Sequence, residues 1–372
     1  MVFAGHYIFA NRIANPGTIR FNLIVAVSSL GLFAVPAFFV LSGYLIGGIL
    51  YHTRNRKGFF GVFYLRRALR VFPVFYITLL AIAAFCTVKK IPINGHFWSH
   101  FLYIQNLQLG QTDAATRPVL MSHFWSLAVE EQFYFIWPLV VWYFRDRRKL
   151  IGISVATIAL CYLIRFAAPV LGLSVLDMSF FTFTRVDAVL MGVLLSLMNE
   201  TELVRRATPF AKWVTLGGCL TMGTLAVVKG EPWAMTTYVG KEIWITLANI
   251  TGFAIVVAVM EHGSFLNRIC SQRWICLIGG LSYSLYVFHL TYRHFFLVNV
   301  TNYLAMHMRM AFASLISITL AFFATFALSL VSAKFIELPL MGLKKHIRYG
   351  PANDAQAEPV RHAEPVFVER GA

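Results

Sequence analysis

Charge is what this chain has little of. Only 13% of its 372 residues are Asp, Glu, Lys or Arg, and the acids are the scarcer sign, 16 against 32 basic residues. Soluble domains carry about 25% charged residues. With 58% of the chain hydrophobic, no water-soluble fold of this length could hide its apolar surface, which excludes that class. Cysteine is sparse as well: Cys86, Cys161, Cys219, Cys270 and Cys276 form no CxxC or Cys/His pattern. That leaves neither a thiolate metal site nor a disulfide framework. The net charge of +16 does not point to nucleic acid, because Lys and Arg fall in short blocks between apolar runs. Such blocks set membrane topology and build no groove for a phosphate backbone.

What the chain does have is apolar runs long enough to cross a bilayer, which takes about 20 residues each. Nine centre on 30–50, 71–88, 124–144, 150–171, 177–198, 213–229, 241–260, 277–297 and 310–333. Met1–Ala10 is apolar but short, lacks a basic leader and cleavage site, and reads as the second half of a helix. The expectation is an all-α, polytopic transmembrane bundle of about ten spans over residues 1–345, the first one truncated. With both termini cytoplasmic, the loops placed inside carry about twice the Lys and Arg of those outside, as the positive-inside bias requires. The inner (plasma) membrane is the expected location. Residues 89–122, with His96, Trp98, His100 and Asn106, form the longest external segment, aromatic enough to lie along the interface or dip back in. Residues 346–372 lose periodicity and read as a disordered cytoplasmic tail.

Ionisable residues inside spans are costly, so they pair, line a cavity or act. His6 is either a hydrogen-bonded core imidazole or a base for a hydroxyl. Ser126, Glu130 and Tyr134 share one helix face at i, i+4, i+8. Glu130 either pairs structurally with an arginine of another span, such as Arg165 or Arg185, or works in a site, while Glu131 points elsewhere, nearer the interface. Arg185 and Asp187, two apart, each need a partner on a different helix. Ser282, Tyr286 and His289 make a polar stripe that Arg293 continues, either glue between helices or the lining of a cavity. Arg66, Arg67 and Arg70 precede Pro73 at the inner end of a span, as a topology signal or a guanidinium clamp for phosphate. Ser42 and Gly43 sit in Phe38–Gly48, where Gly43-xxx-Gly47 either packs helices closely or admits a slender ligand arm.

Six of these segments, in this order, resemble the acyltransferase 3 family of membrane O-acyltransferases: Phe38–Ile46, Arg66–Pro73, Phe124–Tyr134, Arg185–Asp187, Ser282–His289 and Glu337–Pro339. The likeness spans roughly residues 5–345. It implies transfer of an acyl group, usually acetyl from acetyl-CoA, to sugars of envelope polysaccharides, lipid-linked glycans or secreted small molecules. The family's essential histidine falls on its first helix, where His6 stands. Its arginine about three turns earlier would precede Met1, which implies either a start further upstream or an impaired chain. Some members pass the group on through a fused esterase-like domain; none follows here, which implies direct transfer.

The mechanism this suggests keeps acyl-CoA on the cytoplasmic side, its phosphates on Arg66, Arg67 and Arg70, its arm beside Ser42, Gly43 and Gly47. His6 takes the proton from the sugar hydroxyl, with Glu130 orienting the imidazole. Trp125, Ser126 and Tyr286 shape the acyl pocket, to which His289, Arg185 and Asp187 also belong. An acyl-histidine intermediate is the variant of this chemistry. Neither metal nor nucleic acid is implied; the partners are acyl-CoA, a saccharide or lipid-linked glycan, and membrane lipid. The alternative is a carrier or flippase for a lipid-linked saccharide, which buried charges would serve equally well. A third reading, a structural subunit of a polysaccharide assembly, leaves those charges without a purpose.

Overall fold

The computed structural model of the protein describes His6 and residues 30–93, 95–107, 119–172, 179–199, 201–229, 237–291 and 295–351. Among these residues there is no strand. The long helices are α1 (Ala34–Thr53), α2 (Phe59–Val88), α3 (Trp125–Phe144), α4 (Arg147–Ala167), α5 (Thr182–Met198), α6 (Ala211–Lys229) and α7 (Tyr238–Met260). Two short helices, α8 (Arg273–Gly280) and α9 (Ser282–Phe288), precede the last long one, α10 (Met310–Ser332). Their ends follow local chemistry. Asp146, Thr201 and Thr237 each turn a side-chain oxygen onto a backbone amide three residues on, and so cap the helices that follow them. Gly58 enters α2 at φ 79°, a conformation that suits glycine.

Six helical stretches are long and apolar enough to span a membrane by length and composition: Ala34–Thr53, Phe59–Val88, Arg147–Ala167, Glu202–Val228, Tyr238–Met260 and Met310–His346. The count of about ten is not reached among the described residues, for three physical reasons. Helix α3 forms where expected but carries Glu130, Glu131 and Gln132 in its middle. Helix α5 has 17 residues and holds Arg185 and Asp187. The run 277–297 is not one helix: it breaks at Leu281, after Gly279 and Gly280, runs on as α9 to Phe288, and enters a π-helical turn over Phe295–Val300. The partial first helix lies outside the described residues apart from His6, and Arg293 also lies outside them.

Two boundaries move in ways that bear on function. Helix α2 starts at Phe59, ahead of the run 71–88, so Arg66, Arg67 and Arg70 stand within it rather than at its inner end. At 30 residues it is about 45 Å long, well beyond the ~30 Å of a hydrocarbon core, so its first turns can carry charge outside that core. The segment expected to begin a tail at 346 is tied down as far as Pro351. Lys57 donates its amide to the Pro351 carbonyl at 3.2 Å, and Gly350 donates to the Lys57 carbonyl at 3.0 Å. Residues 352–372 lie outside the described set.

The tightest seam joins α1 to α5. A Cβ on Gly43 would sit 1.8 Å from the Val189 carbonyl oxygen, and one on Gly192 would sit 1.9 Å from that of Val40. Gly47 faces Val193 and Ser196 in the same way. The two backbones therefore touch, the small-residue packing that membrane helices use in place of a hydrophobic driving force. Gly43 and Gly47 take the packing role of the two that the sequence left open. On that face no room remains for a ligand arm.

The expected external segment dips back into the bundle. His96, Phe97, Ser99, His100, Tyr103, Gln105 and Asn106 are buried. A closed set of hydrogen bonds pins it: Gln132 Nε2 donates to Asn106 Oδ1 (2.8 Å), Asn106 Nδ2 to Thr182 Oγ1 (2.7 Å), and Thr182 Oγ1 to Gln132 Oε1 (2.5 Å). His100 lies in the short turns outside the long helices. Burial pushes its imidazole down to about 4, although its Nδ1 faces the His96 and Phe97 carbonyls.

Candidate active site

The polar face of α3 organises the site. Ser126, Glu130 and Tyr134 recur at helical spacing and mark a line about 12 Å long.

At the Tyr134 end, the guanidinium of Arg67 lies 4.2 Å over the Tyr134 ring. The Tyr134 hydroxyl hydrogen-bonds Ser42 of α1. Glu130 lies within hydrogen-bonding reach of Ser42 and within charge range of Arg67 and Arg70. Arg70 in turn lies within charge range of both Glu130 and Glu337. Glu337 is held in a π-helical turn, Ala333–Glu337, and accepts from Ser332 Oγ at 3.1 Å. Arg66 donates to the Lys344 carbonyl at 3.4 Å, and the Lys344 ammonium shares the field of all three arginines. The Nε atoms of Arg66 and Arg67 are buried with no hydrogen-bond partner among the described residues. Cationic donors left unmatched in this way form a cradle that an anion would complete.

At the Ser126 end, Ser126 and the Tyr286 hydroxyl of α9 hydrogen-bond each other, and the Tyr286 hydroxyl also donates to the His123 carbonyl at 2.7 Å. Three imidazoles gather beside them. The His6 ring lies 5.3 Å from that of His289, and His289 lies 4.7 Å from His123. His289 turns Nδ1 to the Tyr286 carbonyl at 2.6 Å, and His123 turns Nε2 to the Val287 carbonyl at 3.2 Å. A carbonyl only accepts, so each of those nitrogens carries the proton. His289 is thereby held as the Nδ1–H tautomer with a basic Nε2, the arrangement a proton-accepting histidine needs.

Glu130 is therefore turned to the arginine end, and the ring that His6 meets belongs to His289. The group found beside His6 is thus an imidazole, where a carboxylate was expected. Nor is the arginine that faces Glu130 Arg165 or Arg185. Glu131, expected to point elsewhere and nearer the interface, lies within charge range of Arg67 and Glu130, and also of Tyr76, Tyr103 and Tyr283.

Arg165 is fully buried and pairs with Asp187 at 2.9 Å and Glu242 at 2.8 Å. Asn249 Nδ2 adds a bond to Asp187 at 2.8 Å. This network joins α4, α5 and α7, so Asp187 is a tie between helices with both its oxygens occupied, Oδ1 by the Ala188 amide at 2.8 Å. Arg185 faces the other way, 5.5 Å from the Trp125 ring, which also meets Phe39 and Phe180 at 6.0 and 5.1 Å. Sequence spacing separated these two residues correctly: each finds its partner on another helix.

The structure thus brings Arg66, Arg67, Arg70, Ser42, Glu130 and Tyr134 to one end of the α3 face, and Ser126, Tyr286, His289 and His6 to the other. Trp125 and Arg185 flank that second end; Gly43 and Asp187 belong to helix seams. Sequence reasoning missed His123, Lys344 and Glu337 as members. His123 precedes Ser126 by three residues, a spacing that helical periodicity places near the same face, whereas Lys344 stands in a basic block that carries no spacing signal.

Comparison with known proteins identifies the family. A family model described as an acyltransferase domain matches residues 1–334. The chain is 27% identical over 351 residues to "O-acetyltransferase OatA" of Staphylococcus aureus (strain NCTC 8325 / PS 47), covering 87% of this chain and 55% of that protein. It is 24% identical over 345 residues to "Peptidoglycan O-acetyltransferase OatA" of Listeria monocytogenes serovar 1/2a (strain ATCC BAA-679 / EGD-e), covering 87% and 53%. The chain spans about half the length of these curated relatives. No solved structure matches it. With nearly the whole bundle inside the family model, and the sequence motifs in register along it, the chain belongs to the acyltransferase 3 family.

Proposed function

We propose that this chain moves an acyl group, acetyl first among them, from an acyl-CoA thioester to a hydroxyl of a cell-envelope saccharide. Peptidoglycan is the first acceptor to test, since a relative is named for it. The observation that carries the reading is the polar line along α3, with a guanidinium cradle at one end and His6 against His289 at the other. Donor phosphates rest on Arg66, Arg67, Arg70 and Lys344, on the side that the loop charges make cytoplasmic. The thioester lies along the Ser42–Ser126 face. The sugar oxygen attacks its carbonyl carbon while His6 removes the hydroxyl proton, helped by His289. The C–S bond then breaks, and the leaving thiolate takes the proton back from the imidazolium. Glu130 holds the arginine pair and Ser42 in place.

Membranes carrying the full chain are offered radiolabelled acetyl-CoA. Label entering glycan with the wild type and none with His6→Ala, at equal membrane content, is the expected result. Transfer retained in His6→Ala would remove the base assignment. The broken helix at Leu281 also suits a carrier, since transporters build their sites from discontinuous helices. Movement of a lipid-linked saccharide without label incorporation would favour that reading.

A further inference from the structure

Where α1 ends, α2 begins and α3 ends, the turn Arg54–Gly61 and the last turn of α3 enclose a cavity of about 320 Å³. Arg54, Arg56, Lys57 and Arg145 line it together with Phe60 and Trp142, and no carboxylate does. None of the four cations forms an ion pair among the described residues. The nearest acid in sequence, Asp146, is engaged in capping α4, accepting from the Lys149 amide at 2.9 Å.

Four like charges around one hollow repel one another, and the backbone holds them there. Gly58 turns the chain at φ 79°, and the paired bonds of Lys57 with Gly350 and Pro351 fix the turn. The Arg54 guanidinium is braced 3.8 Å over the Tyr51 ring, and Arg145 Nε donates to the Trp142 carbonyl at 3.0 Å. The first amide of α2 to find a helix carbonyl is that of Val62, and Gly58 offers no side-chain cap. The amides of Phe59, Phe60 and Gly61 therefore add the positive end of a 30-residue helix.

The aromatic flank of the cavity points to the class of anion. Phe60 and Trp142 lie 5.8 Å apart, and Trp142, Tyr143 and Phe144 are exposed in succession at the end of α3. A run of exposed aromatics at the end of an apolar helix marks the headgroup level of a bilayer. A phosphate presented at that level, beside a lipid-facing flank, belongs to a lipid. The donor cradle is separate, since Arg66, Arg67 and Arg70 stand two to three turns further along α2.

We propose that this cavity is a binding site for the phosphate of an anionic phospholipid, which neutralises the Arg54–Lys57 turn and seats this end of the bundle at the membrane surface. The site is independent of the catalytic reading. The full chain, purified in detergent, is given equal phosphatidylglycerol and phosphatidylcholine, and retained lipid is read by native mass spectrometry. The wild type should retain phosphatidylglycerol at least tenfold in preference. Loss of each basic residue should weaken retention about fivefold, so R54Q/R145Q should lose it about 25-fold while keeping its melting temperature in phosphatidylcholine. Equal retention of the two lipids by the wild type would overturn the proposal whatever the variant does. Displacement of phosphatidylglycerol by coenzyme A would overturn it too, by assigning the cavity to a soluble phosphate.

Discussion

The Arg67 guanidinium stacks 4.2 Å over the ring of Tyr134, whose hydroxyl meets Ser42. One side chain thus presents its face to α2 and its edge to α1, and joins the donor cradle to the middle of the bundle. The two contacts can be removed separately.

Tyr134→Phe keeps the ring under Arg67 and loses only the Ser42 bond. Its KM for acetyl-CoA should stay within about twofold of the wild type. Tyr134→Leu also loses the cation–π contact, worth roughly 1–2 kcal/mol when desolvated, and its donor KM should rise about five- to thirtyfold. Steady-state kinetics in which the donor concentration is varied separates them. Equal KM values for the two variants would mean that Arg67 does not hold the donor.

His289 meets the His6 ring at 5.3 Å and is fixed as the Nδ1–H tautomer by the Tyr286 carbonyl. If it shares the proton, His289→Gln should lower kcat about a hundredfold or more, as removal of an acid–base group does. Donor KM should remain unchanged, and the acid limb of the pH–rate profile should move. A variant that loses expression and raises KM together would place His289 in packing alone.

Breaking a buried ion pair by removing one charge costs about 3–5 kcal/mol. Asp187→Asn leaves fully buried Arg165 with Glu242 as its remaining carboxylate. A clear drop in thermal stability in detergent should follow even where donor KM is unaltered. A variant as stable as the wild type would show that Asn249 and Glu242 suffice to hold Arg165.

Gly192→Ala would place a methyl group 1.9 Å from the Val40 carbonyl and push α1 away from α5. The expected destabilisation is about 1–3 kcal/mol. Gly152→Ala in α4 meets nothing within 4 Å and should be neutral or slightly stabilising. Melting temperatures of the pair test the seam directly.

Much of the site was readable from the order of residues. Ser126, Glu130 and Tyr134 had to share a face once α3 was helical, and Arg185 and Asp187 had to diverge. The partner of His6 was not readable, because a carboxylate and an imidazole satisfy the same chemical expectation. Distance along the chain carried no preference between Glu130 and His289. The break at Leu281 was hidden for a different reason: a 21-residue apolar run looks continuous whether or not its glycines let the backbone bend.

Hydropathy and helical period settled the membrane class, the faces of the long helices and which side chains would be costly to bury. These follow from each segment's own chemistry against lipid and water. Packing alone decided that Glu130 answers to arginines on α2, that Gly43 is filled by the backbone of α5, and that three histidines from distant segments share one corner. Those contacts join residues scores of positions apart, and their energy depends on what stands opposite, which no single helix can specify.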